Sequence, residues 1–180
     1  MIQRQLLTRN MFSRPGKKRE AVKGIVIHWV GNAGSGAAAN RNYFESLKNQ
    51  KPENKGARFA SAHFIAGLEG EIIQRVPLDE MACHAGAKTY KPEAITAFGH
   101  YPNNCTTGIE LCHPDESGTF TRLTLDAAAE LCAPLCSQLG ISRKDIWTRH
   151  QITGKICPKG FVGHPEEFDT FEEAALWKSR

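Results

Sequence analysis

Apolar residues recur along this chain with two periods, and the switches between them mark its elements. After the turn-forming Ser13-Arg-Pro-Gly16, residues 24–30 are an almost unbroken apolar run and predict a buried strand that carries His28 near its end. Residues 31–36 read as a small-residue loop. Residues 37–48 then show helical spacing, with Ala39, Tyr43 and Leu47 on one face and Phe44 beside them. A polar, flexible stretch is expected over 50–58. Residues 61–66 and 71–76 are apolar runs joined by Gly67-Leu-Glu-Gly70, which has the length and chemistry of a hairpin connection.

The second half continues the alternation. Residues 77–104 have little periodicity and many Gly, Pro, His and Ala, and read as a long surface loop lining a site. Residues 106–112 predict a strand with Ile109 and Leu111 on one face and Glu110 on the other. Thr124 is the expected N-cap of a helix carrying Ala128, Leu131, Cys132, Leu135, Cys136 and Leu139, kinked at Pro134 and stopped by Gly140. Residues 145–149 predict a short strand ending at His150, and Thr170-Phe-Glu-Glu173 resembles a capping box opening a final short helix. Alternating strands and helices place the chain in the α/β class, with one central sheet and helices on its faces.

Composition narrows this picture. The 180 residues are 41% hydrophobic and 23% charged, enough for one domain with a real core, and no apolar run reaches the length of a membrane span, so membrane insertion is not expected. The first ten residues have no continuous apolar stretch and no small-residue cleavage site. Synthesis without a signal peptide, in the cytoplasm, is therefore expected. Six cysteines do not imply a disulfide framework in a chain of that size; Cys132 and Cys136, one helical turn apart, read as small buried hydrophobes. A net charge of +4 is too mild to imply nucleic acid, although it suits an anionic polymer. Much of it is local: Arg4, Arg9, Arg14, Lys17, Lys18, Arg19 and Lys23 face only Glu20 within residues 1–23, which read as a solvated basic leader preceding or packed on a catalytic domain at 24–180.

The chemistry concentrates in His28 and in the segment His150-Gln-Ile-Thr-Gly-Lys155-Ile-Cys157-Pro. Two imidazoles and one thiolate suit Zn²⁺, and three protein ligands leave a fourth position for water, the mark of a catalytic site. With His28 so far from the other two, only the fold could bring them together. Glu110 is the candidate base and Lys155 the candidate stabiliser of an oxyanion. Taken alone, these residues equally fit packed core side chains, a solvent-facing strand carboxylate and a loop charge. His63 reads as a structural hydrogen-bonding residue, and His100, His113 and His164 carry no functional expectation.

Five segments in order carry a resemblance. Ile25-Val-Ile-His28-Trp, Ser61-Ala-His-Phe64, Cys83-His-Ala-Gly86, Asn103-Asn-Cys-Thr-Thr-Gly-Ile-Glu110-Leu-Cys112 and the His150 to Pro158 segment resemble the zinc-dependent N-acetylmuramoyl-L-alanine amidases of the type 2 family, the phage endolysin and bacterial autolysin branch related to peptidoglycan recognition proteins. The likeness covers roughly residues 5–165. It implies a peptidoglycan-recognition-protein-like amidase fold, a single mixed sheet flanked by helices, and one zinc ion on His28, His150 and Cys157. It further implies Glu110 as the residue activating water, Lys155 as its partner at the oxyanion, and His84 as a residue of the substrate groove. Cys83 stands where related enzymes often carry Trp.

The activity so implied is hydrolysis of the amide between N-acetylmuramic acid and L-alanine in peptidoglycan, by a monomeric cell-wall lysin that acts after release from the cytoplasm. The alternatives are a non-catalytic muropeptide-binding module of the same fold, a cytosolic muropeptide-recycling amidase, and a metal-free hydrolase using Cys157 with His150. The first two fit the presence of Cys157 less well.

Overall fold

The computed structural model describes residues 1–177. Its elements in chain order are β1 (Ile2–Arg4), β2 (Gly24–Trp29), α1 (Ala37–Ser46), β3 (Phe64–Ala66), β4 (Ile72–Gln74), α2 (Pro92–Phe98), β5 (Thr106–Leu111), α3 (Arg122–Leu139), β6 (Ile146–Thr148), α4 (Arg149–Thr153), α5 (Lys159–Gly163) and α6 (Pro165–Trp177). The strands form one sheet in the order β1-β4-β3-β5-β2-β6. Only β3 and β4, the expected hairpin, are antiparallel; the other neighbours are parallel. This is the expected mixed sheet flanked by helices.

The two central strands are apolar because they are covered on both sides. Ile25 and Ile27 of β2 join Ile109 and Leu111 of β5 in a core shared with Leu131, Leu135, Phe161, Phe168 and Phe171 from α3, α5 and α6. Each such side chain, fully buried, contributes about 1.5–3 kcal/mol. Val26 points the other way, into a smaller cluster with Ala94, Phe98 and Ile152. Residues paired in register share a face and alternate residues oppose. His28 and Glu110, partners across β2 and β5, therefore lie side by side on the face turned away from the main core.

Several local expectations give way to tertiary context. Residues 77–104 are not a surface loop: they contain α2, and Ala82, His84, Ala85, Ala94 and Phe98 are buried. Pro92 in the first turn and the four-residue spacing of Ala94 and Phe98 are the signals for this helix. Helix α3 begins earlier than expected, with Thr121 as its cap accepting from the Thr124 amide, while the Thr124 hydroxyl donates to the Gly67 carbonyl at 3.0 Å. At its other end Gly140 takes the expected left-handed conformation, φ 66°. Strand β6 stops at Thr148, whose side chain accepts from the Gln151 amide while Gln151 caps the Thr148 amide in return. His150 thus sits in the first turn of a helix, not at a strand end. Helix α6 opens at Pro165; Thr170 lies inside it, and its hydroxyl donates to the Glu166 carbonyl.

The basic segment 1–23 is packed on the domain rather than solvated. Strand β1 pairs with β4 at the sheet edge, and Leu7 and Phe12 are buried with Phe44, Leu47, Val76 and Ala82. Arg14 forms a two-pronged pair with Glu80, Nε to Oε2 at 2.8 Å and Nη2 to Oε1 at 2.9 Å, and Arg9 adds a contact at 3.0 Å. The charges that suggested a solvated run are partly consumed in holding the segment down. Among the described residues no helix is long and apolar enough to cross a membrane.

Glu80 is nearly buried, and the Arg14 guanidinium holds its carboxyl below the usual carboxylate range. Its contribution to stability is then complete above the ordinary carboxylate value and fades as pH falls through the depressed folded-state value. Glu80→Gln should cost roughly 3 kcal/mol in urea unfolding at pH 7, since it strands a largely buried guanidinium. The gap to the wild type should close as the pH is taken below 4; a gap constant with pH would show that the pair contributes nothing through charge.

Candidate metal centre and substrate groove

Strand β2 delivers His28 to a position only 2% exposed, and the chain returns from α4 to place Cys157, 4% exposed, beside it. The Cys157 sulfur lies 3.8 Å from His28 Nδ1. Tetrahedral zinc, with bonds of about 2.05 Å to nitrogen and 2.3 Å to sulfur, sets two such donors roughly 3.6 Å apart. The pair therefore fits two corners of a zinc site in both chemistry and spacing. The Cys157–Pro158 peptide is cis, and the Cys157 carbonyl accepts from the His150 amide at 2.9 Å, tying the turn back onto α4.

His150 is held by that backbone bond and by a contact of its Nδ1 with the Lys155 carbonyl at 3.1 Å, which leaves Nε2 as the available ring nitrogen. Its ring does not close a three-donor cluster: among the described residues no three His, Cys, Asp or Glu side chains are gathered tightly enough to hold an ion. The structure brings together two of the three expected ligands and tethers the third by its backbone.

Burial sets the protonation of this region. His28 is driven well below the usual imidazole value by desolvation, reinforced by His84 and Arg149, and is neutral. His84 is lowered to about 3, again chiefly by burial. The Cys157 thiol is pushed up to about 11 by burial, opposed by a hydrogen bond from the Trp29 backbone. A neutral imidazole is ready to ligate as it stands, whereas the thiol must lose its proton when an ion binds.

Above the pair opens a groove of about 510 Å³ whose lining includes Trp29, Tyr43, Arg58, His84, Glu110, Arg149, Lys155 and Cys157. Four of the six expected site residues thus share one concavity. Lys155 is exposed on its loop, and its charge is felt at both His28 and Cys157. The Glu110 side chain is 13% exposed, and its Oε2 is 3.4 Å from Nη2 of Arg75, which is wholly buried. The contact is an ion pair without hydrogen-bond geometry; Arg75 Nε and Nη1 have no hydrogen-bond partner among the described residues, and its guanidinium lies over the Phe44 ring at 4.2 Å. Burial raises the Glu110 carboxyl and Arg75 opposes the rise. Arg75 and Arg149 went unnoticed in the sequence. The signal for Arg75 was a cation at the end of the apolar run at 72–76; for Arg149, only its place beside His150.

His63 has the expected structural role, its Nδ1 accepting from the Gly108 amide and its Nε2 contacting the Glu80 carbonyl, each at 3.0 Å. His84, expected in the groove, does line it, but both of its ring nitrogens are engaged, Nδ1 with His28 and Nε2 with Thr106.

A family profile described as N-acetylmuramoyl-L-alanine amidase (Amidase_2) matches residues 18–160. Among curated proteins, a probable N-acetylmuramoyl-L-alanine amidase of Bacillus licheniformis is 33% identical over 170 residues, covering 91% of this chain and 44% of that protein. The amidase BlyA of Bacillus subtilis strain 168 is 30% identical, covering 91% and 43%. The chain thus spans less than half the length of these relatives. Among solved structures, the catalytic domain of XlyA superposes with a TM-score of 0.73 at 23% identity over 97% of this chain and 99% of that one, and PlyL with 0.75 at 17% over 98% and 97%, which shows the shared fold. With the profile spanning most of its length and the first of these curated relatives a third identical, the chain belongs to the N-acetylmuramoyl-L-alanine amidase family, Amidase_2.

Proposed function

We propose that the protein is a zinc amidase that hydrolyses the bond between the lactyl group of N-acetylmuramic acid and the first L-alanine of the peptidoglycan stem peptide. The observation that carries this reading is the pairing of His28 Nδ1 and Cys157 Sγ, at zinc-ligand spacing, beside a groove that Cys157 lines together with Glu110 and Lys155. Family membership and the named activity of the curated relatives support the choice of bond. His28, His150 and Cys157 would hold the ion, with His150 supplying Nε2 as the third donor. The chain acts as a cell-wall lysin that reaches its substrate after release.

When bound, zinc supplies a water of lowered pKa and polarises the scissile carbonyl. Glu110 takes a proton from the water that adds to the carbonyl carbon. Arg75, beside it, opposes the rise that burial imposes on this carboxyl. Lys155 offers its ammonium to the tetrahedral oxyanion. As the C–N bond breaks, Glu110 returns the proton to the departing L-alanine nitrogen, giving a lactyl carboxylate and a free amine. The roles need one base and one cation on the same side of the carbonyl, and both residues line one groove.

Digesting purified sacculi with and without chelator tests the reading. New L-alanine amino termini that vanish with chelator and return with zinc are expected; new reducing sugars would identify a glycosidase, and indifference to chelator would favour a thiol nucleophile. Glu110→Ala should retain stoichiometric zinc by elemental analysis while turnover falls about 10²- to 10⁴-fold. Cys157→Ser should lose metal and activity together, and a Ser variant with full zinc content would remove Cys157 from the ligand set.

A further inference from the structure

His84 lines the groove, but both of its ring nitrogens are spent on partners within the protein, and its proton positions follow from those neighbours. The Thr106 hydroxyl stands 2.6 Å from the Pro102 carbonyl, which can only accept, so the hydroxyl proton goes there. The Thr106 oxygen is then left to accept from His84 Nε2 at 3.2 Å, and the Thr106 carbonyl faces the same nitrogen at 3.4 Å. Nε2 of His84 therefore carries a hydrogen. In a neutral ring that leaves Nδ1 bare, as an acceptor 3.0 Å from His28 Nε2. His28 must in turn hold its proton on Nε2 and present a bare Nδ1, the atom that faces Cys157 at 3.8 Å.

The ring of His84 is locked in place as well as in tautomer. It packs edge-on against His28, with centroids 5.1 Å apart, and lies on the bare backbone of Gly108, where an added Cβ would come within 2.7 Å of it. On its other side His63, pinned by the Gly108 amide, closes the space.

We infer that His84 is a positioning residue for the metal centre: through the Pro102–Thr106–His84–His28 chain it fixes which nitrogen of His28 is offered to the ion, and it is not a substrate ligand. The inference rests on His28 being a zinc ligand, but the proton order in the chain does not. A ligating imidazole whose second nitrogen is fixed by a partner binds more tightly, and loss of such a partner typically weakens metal binding about 10- to 100-fold.

Two measurements separate the claims. In metal-free wild-type protein, long-range ¹H–¹⁵N correlation should show both His28 and His84 protonated on Nε2; His28 protonated on Nδ1 would overturn the chain whether or not zinc binds. Zinc affinity by chelator competition should fall about 10- to 100-fold in His84→Leu. His84→Asn, whose side-chain oxygen sits near the lost Nδ1, should recover most of that loss. Wild-type affinity in the Leu variant, or no recovery with Asn, would reduce His84 to a packing residue. A wild type that binds no zinc would defeat the metal reading while the tautomer result still decides the hydrogen-bond chain. Should His84→Leu not fold, the wild-type spectrum alone decides between the two proton orders.

Discussion

The parallel pairing of β2 with β5 is the constraint on which the site depends. Its register sets His28 beside Glu110, and the twofold alternation of strands sends both side chains to one face while Ile27 and Ile109 seal the other. A one-residue slip would bury the imidazole among phenylalanines and turn isoleucine into the groove. The apolar side of the pair therefore fixes the polar side: hydrophobic contacts with α3, α5 and α6 specify where the chemistry stands, although none of those helices lines the groove.

The polar face is unusual in how much ionisable character it buries. His28, His63, His84 and Arg75 are all withdrawn from solvent, and Glu110 nearly so. Withdrawing charges is costly, and each group meets the cost differently. The imidazoles do so by staying neutral and bonding to one another or to backbone carbonyls. Arg75 cannot shed its proton, so it lies on Phe44 and faces Glu110, with two donors unanswered among the described residues. A region assembled only for stability would use apolar side chains here. The arrangement sets a cation against the burial of Glu110 and turns a nitrogen of the buried His28 toward Cys157.

Much of this was legible in the chain. The strands at 24–29 and 106–111, the hairpin, the long helix and its Gly140 stop follow from periodicity and local turn chemistry, which act over a few residues. The ordered motifs nominated His28, Glu110, Lys155 and Cys157, and the fold brings His28 against Cys157 and puts Glu110 and Lys155 in the groove above. What periodicity could not show depends on partners distant in sequence. Helix α2 is short and was hidden among turn-forming residues; its apolar positions make sense only against Val26 and Ile152. Thr124 lost the cap to Thr121 because its hydroxyl was claimed by Gly67. The role of His84 is set by Thr106 and His28, residues 22 and 56 positions away.

The amino-terminal segment has a practical side. The family profile starts at residue 18, yet Leu7 and Phe12 fill a pocket between α1 and the sheet, and Arg14 neutralises a carboxylate on the loop leading to His84. A fragment trimmed to the profile's limits would leave Phe44 and Val76 open to water and Glu80 without its counter-ion. Phe44 is also the ring beneath Arg75. Damage at a terminus remote in sequence would thus reach the groove in two steps, so the folded unit extends beyond the residues that the family profile matches.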